Sequence, residues 1–475
     1  MKVSEDISKE QVSVESAGEV FTLFKSALSQ NVVQLREREA GVKRYRNREP
    51  VFTTLVVLWL MIYQRLNPSH TQSSAVRELQ SGRFSKLSTK SWRRKSLGIS
   101  LSTSAYNQAR YHLPVSLVLS LVEVLVENLL SIFADKYLWH GHRVFMLDGT
   151  GFSASRANDI PKHFPPTSNQ HKGGYWSSVF LLSAHELFTG IALTPVWGSM
   201  YGSKAISEQK LSKKLLKRFP ANSIAVGDAN FGTFATVWHA QKNNVDSVVR
   251  LTPVRAKKIL ADSNLTKSKT ANVVWKLSGH DRRNNTEIDK DATIKGKVIF
   301  AKVAHPRQRK NKFVKLILFT TLDYPEKEIV ALYLKRWNIE LDLKSIKCQM
   351  QMSRLTSKSK NMIEKEILTG FAAFSLVRAT MALAAHSHSI EPRKLSFSNC
   401  LEVIIAHADN IQRSKSFRQI KEAIQNLLKA IAQSKIRRTK KVRKNQARFL
   451  RPCRKKYPIF MRKRKNTTYT DIEHA

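Results

Sequence analysis

Hydrophobic residues recur at intervals of three and four along the first part of the chain, which is the spacing of amphipathic helices. The pattern is strongest over residues 51–64 and 115–133. In the second segment, Glu123 and Glu127 mark a solvent-facing side, so this segment is predicted to be a helix of a soluble domain rather than a membrane span. We therefore predict a helical domain over residues 1–135.

Beyond residue 136 the pattern changes to short apolar runs that are typical of strands. Strands are predicted at residues 142–147, 223–226 and 247–252, a hairpin at 177–184 and 187–196, and helices at 207–219 and from about 231 to 243. Strands that alternate with helices in this way predict an α/β fold, in which a mixed sheet is flanked by helices.

A polar and irregular stretch, residues 253–312, then interrupts the alternation. It is too long for a simple loop in a compact domain, and it contains β-like pieces at 273–277 and 298–303. We predict a β-rich insertion there.

Regular structure resumes with a predicted strand at residues 314–321, and Pro325 opens a predicted helix that runs to about residue 350. An apolar helix is predicted at 363–385. The core of the fold is thus predicted to comprise residues 136–252 and 313–385, followed by a helical and basic C-terminal region at 386–475.

The net charge of the chain indicates the class of molecule that it binds. The 475 residues include 81 Lys and Arg against 36 Asp and Glu, a net charge of +45 at neutral pH, and residues 413–465 alone carry +20. Such an excess is usually retained where a polyanion neutralises it. The N-terminus has no signal-peptide pattern, and the most apolar stretch, residues 55–63, is too short to span a bilayer. DNA or RNA is therefore the predicted partner, and no membrane is expected.

The cysteines are few and widely spaced, at positions 348, 400 and 453. An odd number without a Cys-x2-Cys pair builds neither a disulfide framework nor a zinc site. A reducing compartment is predicted, and the protein is expected to be cytoplasmic and associated with DNA.

Three carboxylates stand in positions suited to a metal ion. Asp148 and Asp228 each follow an apolar run beside a Gly-containing turn, which predicts that both lie at strand ends, and Glu340 falls within the helix that Pro325 opens. Oxygen ligands from separate elements are what Mg2+ or Mn2+ requires, and such ions activate nucleophiles and stabilise leaving oxygens in phosphoryl transfer.

The helix around Glu340 carries a second signal. At about 100° per residue, Tyr333, Arg336, Glu340 and Lys347 fall within an arc of about 60°. Cations beside a metal-binding Glu are suited to hold phosphate. Asp342 projects from another face and is predicted not to be a ligand.

The motif Tyr333-x2-Arg336-x3-Glu340-x6-Lys347, preceded by Asp148-Gly149-Thr150 and by the turn from Asp228 to Gly232, resembles bacterial DDE transposases of the insertion-sequence-four family. The resemblance implies a ribonuclease H-like core interrupted by the β-rich insertion. It assigns Asp148, Asp228 and Glu340 to the Mg2+-binding triad, with Mn2+ as an alternative ion, and Tyr333, Arg336 and Lys347 to DNA phosphate. Some members hold a flipped base with a Trp of the insertion. Trp275 is the candidate, and a core role for it is an open alternative.

The resemblance further implies cut-and-paste transposition. The predicted partners are double-stranded DNA at terminal inverted repeats, target DNA, and a second copy of the chain in a synaptic dimer. The helical region 1–135 would bind the repeats. The main alternative is a domesticated DNA-binding protein without catalytic activity, and a stand-alone nuclease and an RNA-binding scaffold are weaker alternatives.

Overall fold

The computed structural model describes residues 20–42, 50–67, 69–80, 98, 100–157, 159–168, 173–261, 270–304, 313–414 and 416–436. Most of the basic C-terminal end, residues 437–475, lies outside the described residues, so the predicted role of that end is argued from sequence alone. Within the described ranges the chain forms one ten-stranded sheet with helices packed on both faces. The predicted α/β class with a mixed sheet is confirmed.

The sheet has a parallel centre and antiparallel flanks. Its strands are β1 (Val144–Ala154), β2 (Pro166–Ser168), β3 (Gly173–Glu186), β4 (Val196–Ser199), β5 (Ser223–Gly227), β6 (Val245–Arg250), β7 (Thr270–Lys276), β8 (Thr293–Ala304), β9 (Phe313–Thr320) and β10 (Arg354–Leu355). Their order is β2-β3-β1-β5-β6-β9-β8-β7, with β4 beside β3 and β10 beside β1. Only β1, β5, β6 and β10 form parallel pairs among the described strands, so the carboxyl ends of the first three meet at one edge.

The helices of the described residues precede, alternate with and follow the strands. They are α1 (Val20–Ala27), α2 (Gln30–Glu39), α3 (Thr54–Leu66), α4 (Gln72–Gln80), α5 (Ser104–His112), α6 (Val115–Ser131), α7 (Ile160–His163), α8 (Glu208–Leu216), α9 (Phe234–Lys242), α10 (Pro253–Leu260), α11 (Gly279–Asn284), α12 (Glu326–Leu334), α13 (Asn338–Lys344), α14 (Lys360–Ser387), α15 (Phe397–Arg413) and α16 (Phe417–Gln433). The domain boundaries drawn from the sequence stay a prediction.

Helix α14 joins the helical lead to the sheet. It is the one described helix long and apolar enough to cross a membrane, and it is buried along its length against α3, α6 and α16. Buried polar contacts fix this junction: Arg65 lies 3.2 Å from Glu366, and Lys365 donates to the backbone oxygens of Arg110 and Tyr111. The apolar sequence of α14 is therefore that of a core helix.

Two strand predictions are corrected by the structure. Strand β1 does not end at Asp148 but continues to Ala154, because β3 pairs with it from Phe145 to Ala154. The predicted strand 187–196 is largely absent, and β4 begins only at Val196. The Glu186 carboxylate accepts the backbone N–H groups of Phe188 and Thr189, and the chain turns there instead of forming a long hairpin.

The strands of segment 253–312 extend the central sheet. Strand β8 pairs with β9, and β7 pairs with β8, so both lie in the same sheet as β1. Helices α10 and α11 make up much of the rest of the described segment. The segment is thus part helical, and its β structure continues the core.

The predicted helix from Pro325 to about residue 350 is not uniform. After α12 the chain forms a 3-10 turn at Lys335–Trp337, then α13, then a π-helical turn at Ser345–Gln349. Both irregularities change the rotation per residue. A projection at a constant 100° therefore does not describe where each side chain of the Tyr333 to Lys347 motif lies.

Candidate active site

Asp148 and Asp228 lie at the edge where the central parallel strands end. The pairing of β1 with β5 stops at Met146 and Val226, so Asp148 lies just beyond the last pair, and Asp228 directly follows β5. One oxygen of Asp148 accepts the backbone N–H of Gly149 at 3.0 Å, and one oxygen of Asp228 accepts that of Asn230 at 2.8 Å. The two carboxylates come from neighbouring strands. Asp228 lies at a strand end as predicted, whereas Asp148 lies within β1, which continues to Ala154.

The electrostatics of this edge favour a cation. Burial raises the pKa of Asp148 to about 6, and although Arg336 opposes the rise, the charges of Asp228 and Glu208 add to it. Burial and the charge of Asp228 also raise the pKa of Glu208. Carboxylates that destabilise one another's ionised forms are stabilised in those forms when they bind the same cation.

Arg336 stands between these acids and Glu340. It opposes the pKa rise of Asp148 on one side, and on the other its Nη2 lies 3.8 Å from Glu340 Oε1. The Arg336 side chain is 11% exposed, its charge opposes the rise that burial causes in the pKa of Tyr333, and among the described residues its Nε finds no hydrogen-bond partner. A buried guanidinium with a spare donor is suited to a further acceptor.

Glu340 itself is on the solvent side of α13, with 41% of its side chain exposed. Within the described ranges, no three His, Cys, Asp or Glu side chains come close enough to surround one ion. The structure thus brings Asp148 and Asp228 together, and places Glu340 beside Arg336.

Lys347 lies beside Phe152 of β1. Its Nζ is 5.2 Å from the centre of the Phe152 ring. Phe152 follows Asp148 by four residues on β1, which is about 13 Å along the strand and on the same side.

Comparison with known proteins gives the family. The sequence model of the transposase DDE domain matches residues 139–376, about half of the chain. The chain belongs to the transposase DDE domain family. The transposase InsG for insertion sequence element IS4 of Escherichia coli (strain K12) is 24% identical over an alignment of 281 residues. The match covers 56% of this chain and 59% of the length of InsG. The predicted resemblance to DDE transposases of the insertion-sequence-four type is confirmed.

The matched transposase domain contains all six motif residues and Trp275. Trp275 is only 7% exposed and packs edge-on against Phe234 and Phe319, with ring centres 5.8 and 4.9 Å apart. Such a ring, packed in the core beside the sheet, offers no open face for a nucleobase. The structure therefore supports the core alternative for this residue.

Asp342, two residues after Glu340, is 2% exposed. Its Oδ1 accepts Arg378 at 2.6 Å and Arg393 at 2.7 Å, and its Oδ2 lies 3.4 Å from His185 Nδ1. Burial alone would raise its pKa, but the two arginines outweigh burial and lower it. This carboxylate anchors α13 to β3 and α14 and is turned away from the acidic edge.

Sequence reasoning missed Glu208 and Asn230 of the transposase domain. The Glu208 carboxylate accepts the Asn230 side-chain amide at 2.9 Å and stands over Gly149. Sixty residues separate Glu208 from Asp148 along the chain. The only local signal is an acidic residue in the first turn of a Ser-capped helix, which is common in helices without any function.

Proposed function

We propose that this protein is the transposase of an insertion sequence, which binds terminal inverted repeats and catalyses metal-dependent cleavage and transfer of DNA strands. The observation that supports this most is the meeting of Asp148 and Asp228 at the end of adjacent parallel strands, beside the Arg336 and Glu340 of the motif, inside the family match. The sheet order, with antiparallel β3 and parallel β5 and β6 around β1, supports a ribonuclease H-like core.

The donor set fits a hard divalent cation. Asp148 and Asp228 supply carboxylate oxygens from two strands, and the raised pKa of Asp148 is the response expected of an acid that shares a buried site with other acids. We assign Asp148, Asp228 and Glu340 as the residues that would hold Mg2+, with Mn2+ able to replace it. When bound, such an ion activates a nucleophile and stabilises the leaving oxygen.

Arg336 connects substrate binding to the third carboxylate. A DNA phosphate offers the guanidinium two oxygens in a fork, which a carboxylate at 3.8 Å does not match in geometry. Phosphate binding would draw the Arg336 guanidinium away from Glu340, so that substrate binding would change the charge next to the third carboxylate. Tyr333, whose pKa is affected by the charge of Arg336, would orient the guanidinium, and Lys347 would hold phosphate further along the strand.

The remaining parts of the chain would serve DNA. We assign the helical region 1–135 to the terminal repeats, and the basic C-terminal region to non-specific contact with DNA through counterion release. We propose that two copies of the chain form a dimer in the synaptic complex that joins two ends. The protein would be localised in the cytoplasm and associated with DNA.

The test compares binding with chemistry in the full-length protein, on a duplex that carries the terminal inverted repeat flanking its coding region. Asp148→Asn and Asp228→Asn should abolish Mg2+-dependent strand cleavage and leave affinity for the duplex within about threefold, because the backbone hydrogen bonds of both side chains survive the change.

Asp323→Asn is the matched control, since Asp323 is 98% exposed and pairs with Lys297 after β9, away from the proposed site. It should cleave at the parent rate. Cleavage near the parent rate by either of the first two variants would remove that residue from the triad. Binding by the parent without any cleavage would favour the domesticated DNA-binding alternative.

A further inference from the structure

Glu208 is linked to Asp228 by two consecutive hydrogen bonds. Ser207 caps helix α8 and thereby places Glu208 in its first turn. Oε2 of Glu208 accepts the Asn230 side-chain N–H at 2.9 Å, and the Asn230 backbone N–H donates to Asp228 Oδ1 at 2.8 Å. Asn230 therefore links the Glu208 carboxylate to the Asp228 carboxylate.

The other oxygen of Glu208 reaches β1 beside Asp148. A Cβ at Gly149 would overlap Glu208 Oε1, so this position has room only for glycine while Glu208 keeps its place. Because neighbouring residues of a strand point to opposite faces, Gly149 faces away from Asp148. Glu208 thus approaches the two aspartates from the face of the sheet opposite to Arg336 and Glu340.

The turn after β5 has other supports. Arg255 donates to the Ala229 carbonyl at 2.7 Å, and Gln209 donates to the Asn230 carbonyl at 3.4 Å. These contacts keep the turn folded when Glu208 is changed. Asn230 is exposed, so its replacement removes no core packing.

From this arrangement we infer that Glu208 is a positioning residue of the proposed metal site, which acts through Asn230 to fix the Asp228 carboxylate and is not itself a ligand. The inference rests on the proposed function. According to this inference, the effect of Glu208 comes from the hydrogen bond that it accepts and not from its charge. The two can be distinguished because the amide oxygen of Gln accepts the same bond, whereas Ala does not.

The experiment measures Mn2+ binding to the full-length protein by electron paramagnetic resonance, and the Mg2+ midpoint for cleavage of the terminal-repeat duplex. Glu208→Ala and Asn230→Ala should each weaken Mn2+ binding and raise the Mg2+ midpoint by about tenfold, the size expected from loss of a charge-assisted hydrogen bond. Glu208→Gln should stay within about threefold of the parent. The double variant Glu208→Ala/Asn230→Ala should be no worse than either single variant, because both remove one linkage.

Three results would overturn the inference. They are a Glu208→Gln variant as defective as Glu208→Ala, additive losses in the double variant, and parental Mn2+ binding by Asn230→Ala. Thermal unfolding of each variant shows whether it is folded, and Asn230→Ala keeps the test decisive if Glu208→Ala does not fold.

The variants Asp148→Asn and Asp228→Asn distinguish a failure of this inference from a failure of the proposed function. If both aspartate variants bind Mn2+ like the parent, the proposed metal site is wrong and the inference fails with it. If both lose Mn2+ while Glu208→Ala and Asn230→Ala keep it, the metal site stands and only the positioning role of Glu208 fails.

Discussion

Two carboxylates on one short helix, Glu340 and Asp342, show how differently the same chemical group is used. They are two residues apart on α13, which places them about 200° apart around the helix. Asp342 is 2% exposed and bound by Arg378, Arg393 and His185, whereas the Glu340 side chain is 41% exposed and lies 3.8 Å from Arg336. One side of the helix is fixed to the protein and the other faces the proposed DNA site.

The two environments differ in how easily the carboxylate can lose its partners. A buried carboxylate with two guanidinium partners is costly to disturb, since removing one member leaves the others charged and buried. Arg378 is itself held close to Gly190, where φ is +83° and a Cβ would overlap the guanidinium. An exposed carboxylate can exchange its partner for an incoming cation at little cost in folding free energy.

The largest expected difference concerns catalysis. Glu340→Gln should reduce the rate of strand cleavage by about 10⁴-fold, equivalent to about 5 kcal/mol of transition-state stabilisation. Its thermal midpoint should equal that of the parent, because the residue is exposed. Single-turnover cleavage measures the rate, and calorimetry of the same preparation measures the thermal midpoint. A lowered thermal midpoint of Glu340→Gln would contradict the proposed difference between Glu340 and Asp342.

The next effect concerns stability. Asp342→Asn should lower the free energy of unfolding by about 3 kcal/mol, because Arg378 and Arg393 would remain buried without their counter-charge. Urea unfolding followed by fluorescence measures the loss. If Asp342→Asn is as stable as the parent but inactive, Asp342 belongs to the chemistry and not to the anchor.

A smaller effect separates phosphate contact from metal binding on the same segment. Arg336→Ala should slow strand transfer from pre-nicked ends by about 10- to 100-fold, the value of one or two charge-assisted hydrogen bonds. Lys347→Ala should cost a few-fold, because Lys347 lies beside Phe152 and away from the acids.

Lys335→Ala is the matched control for Arg336→Ala. The Lys335 ammonium lies 5.2 Å from the centre of the Phe188 ring, on another side of the 3-10 turn, and its loss should change strand transfer less than twofold. Equal defects in Lys335→Ala and Arg336→Ala would indicate general charge and not a phosphate clamp.

The smallest expected effect is a pH dependence of the stability gap between parent and Asp342→Asn. The groups that face Asp342 are Arg378, Arg393 and His185, and the arginines lower its pKa below the ordinary value of 3.8 despite burial. Its contribution to stability is therefore fully present above about pH 4 to 5 and declines as the pH falls through the lowered native pKa. Urea unfolding of both proteins at pH 7, 5 and 3.5 should give equal gaps at the first two values and a smaller gap at the third. A gap that shrinks between pH 7 and 5 would assign the effect to another group.

Much of the fold could be read from local pattern. Helix α8 with its Ser207 cap, strand β5, and the long apolar α14 agree with their predictions to within a few residues. These elements are specified by residues within one or two turns of each other. Strand β1 was cut short in the prediction because Gly149 and Gly151 suggest a turn, while pairing with β3 keeps the chain extended.

The sequence by itself determined the family and the basic character, because a motif with fixed spacing and a net charge of +45 need no coordinates. It also predicted the three carboxylates of the proposed metal site, and that assignment stays a prediction. Only the tertiary structure decided how these residues are used. It placed Asp342 among buried arginines, Trp275 in the core, and Glu208 behind Asp228, through contacts between segments far apart in the chain. The partner of a buried polar group comes from a distant segment of the chain, so local pattern predicts an apolar face but does not name that partner.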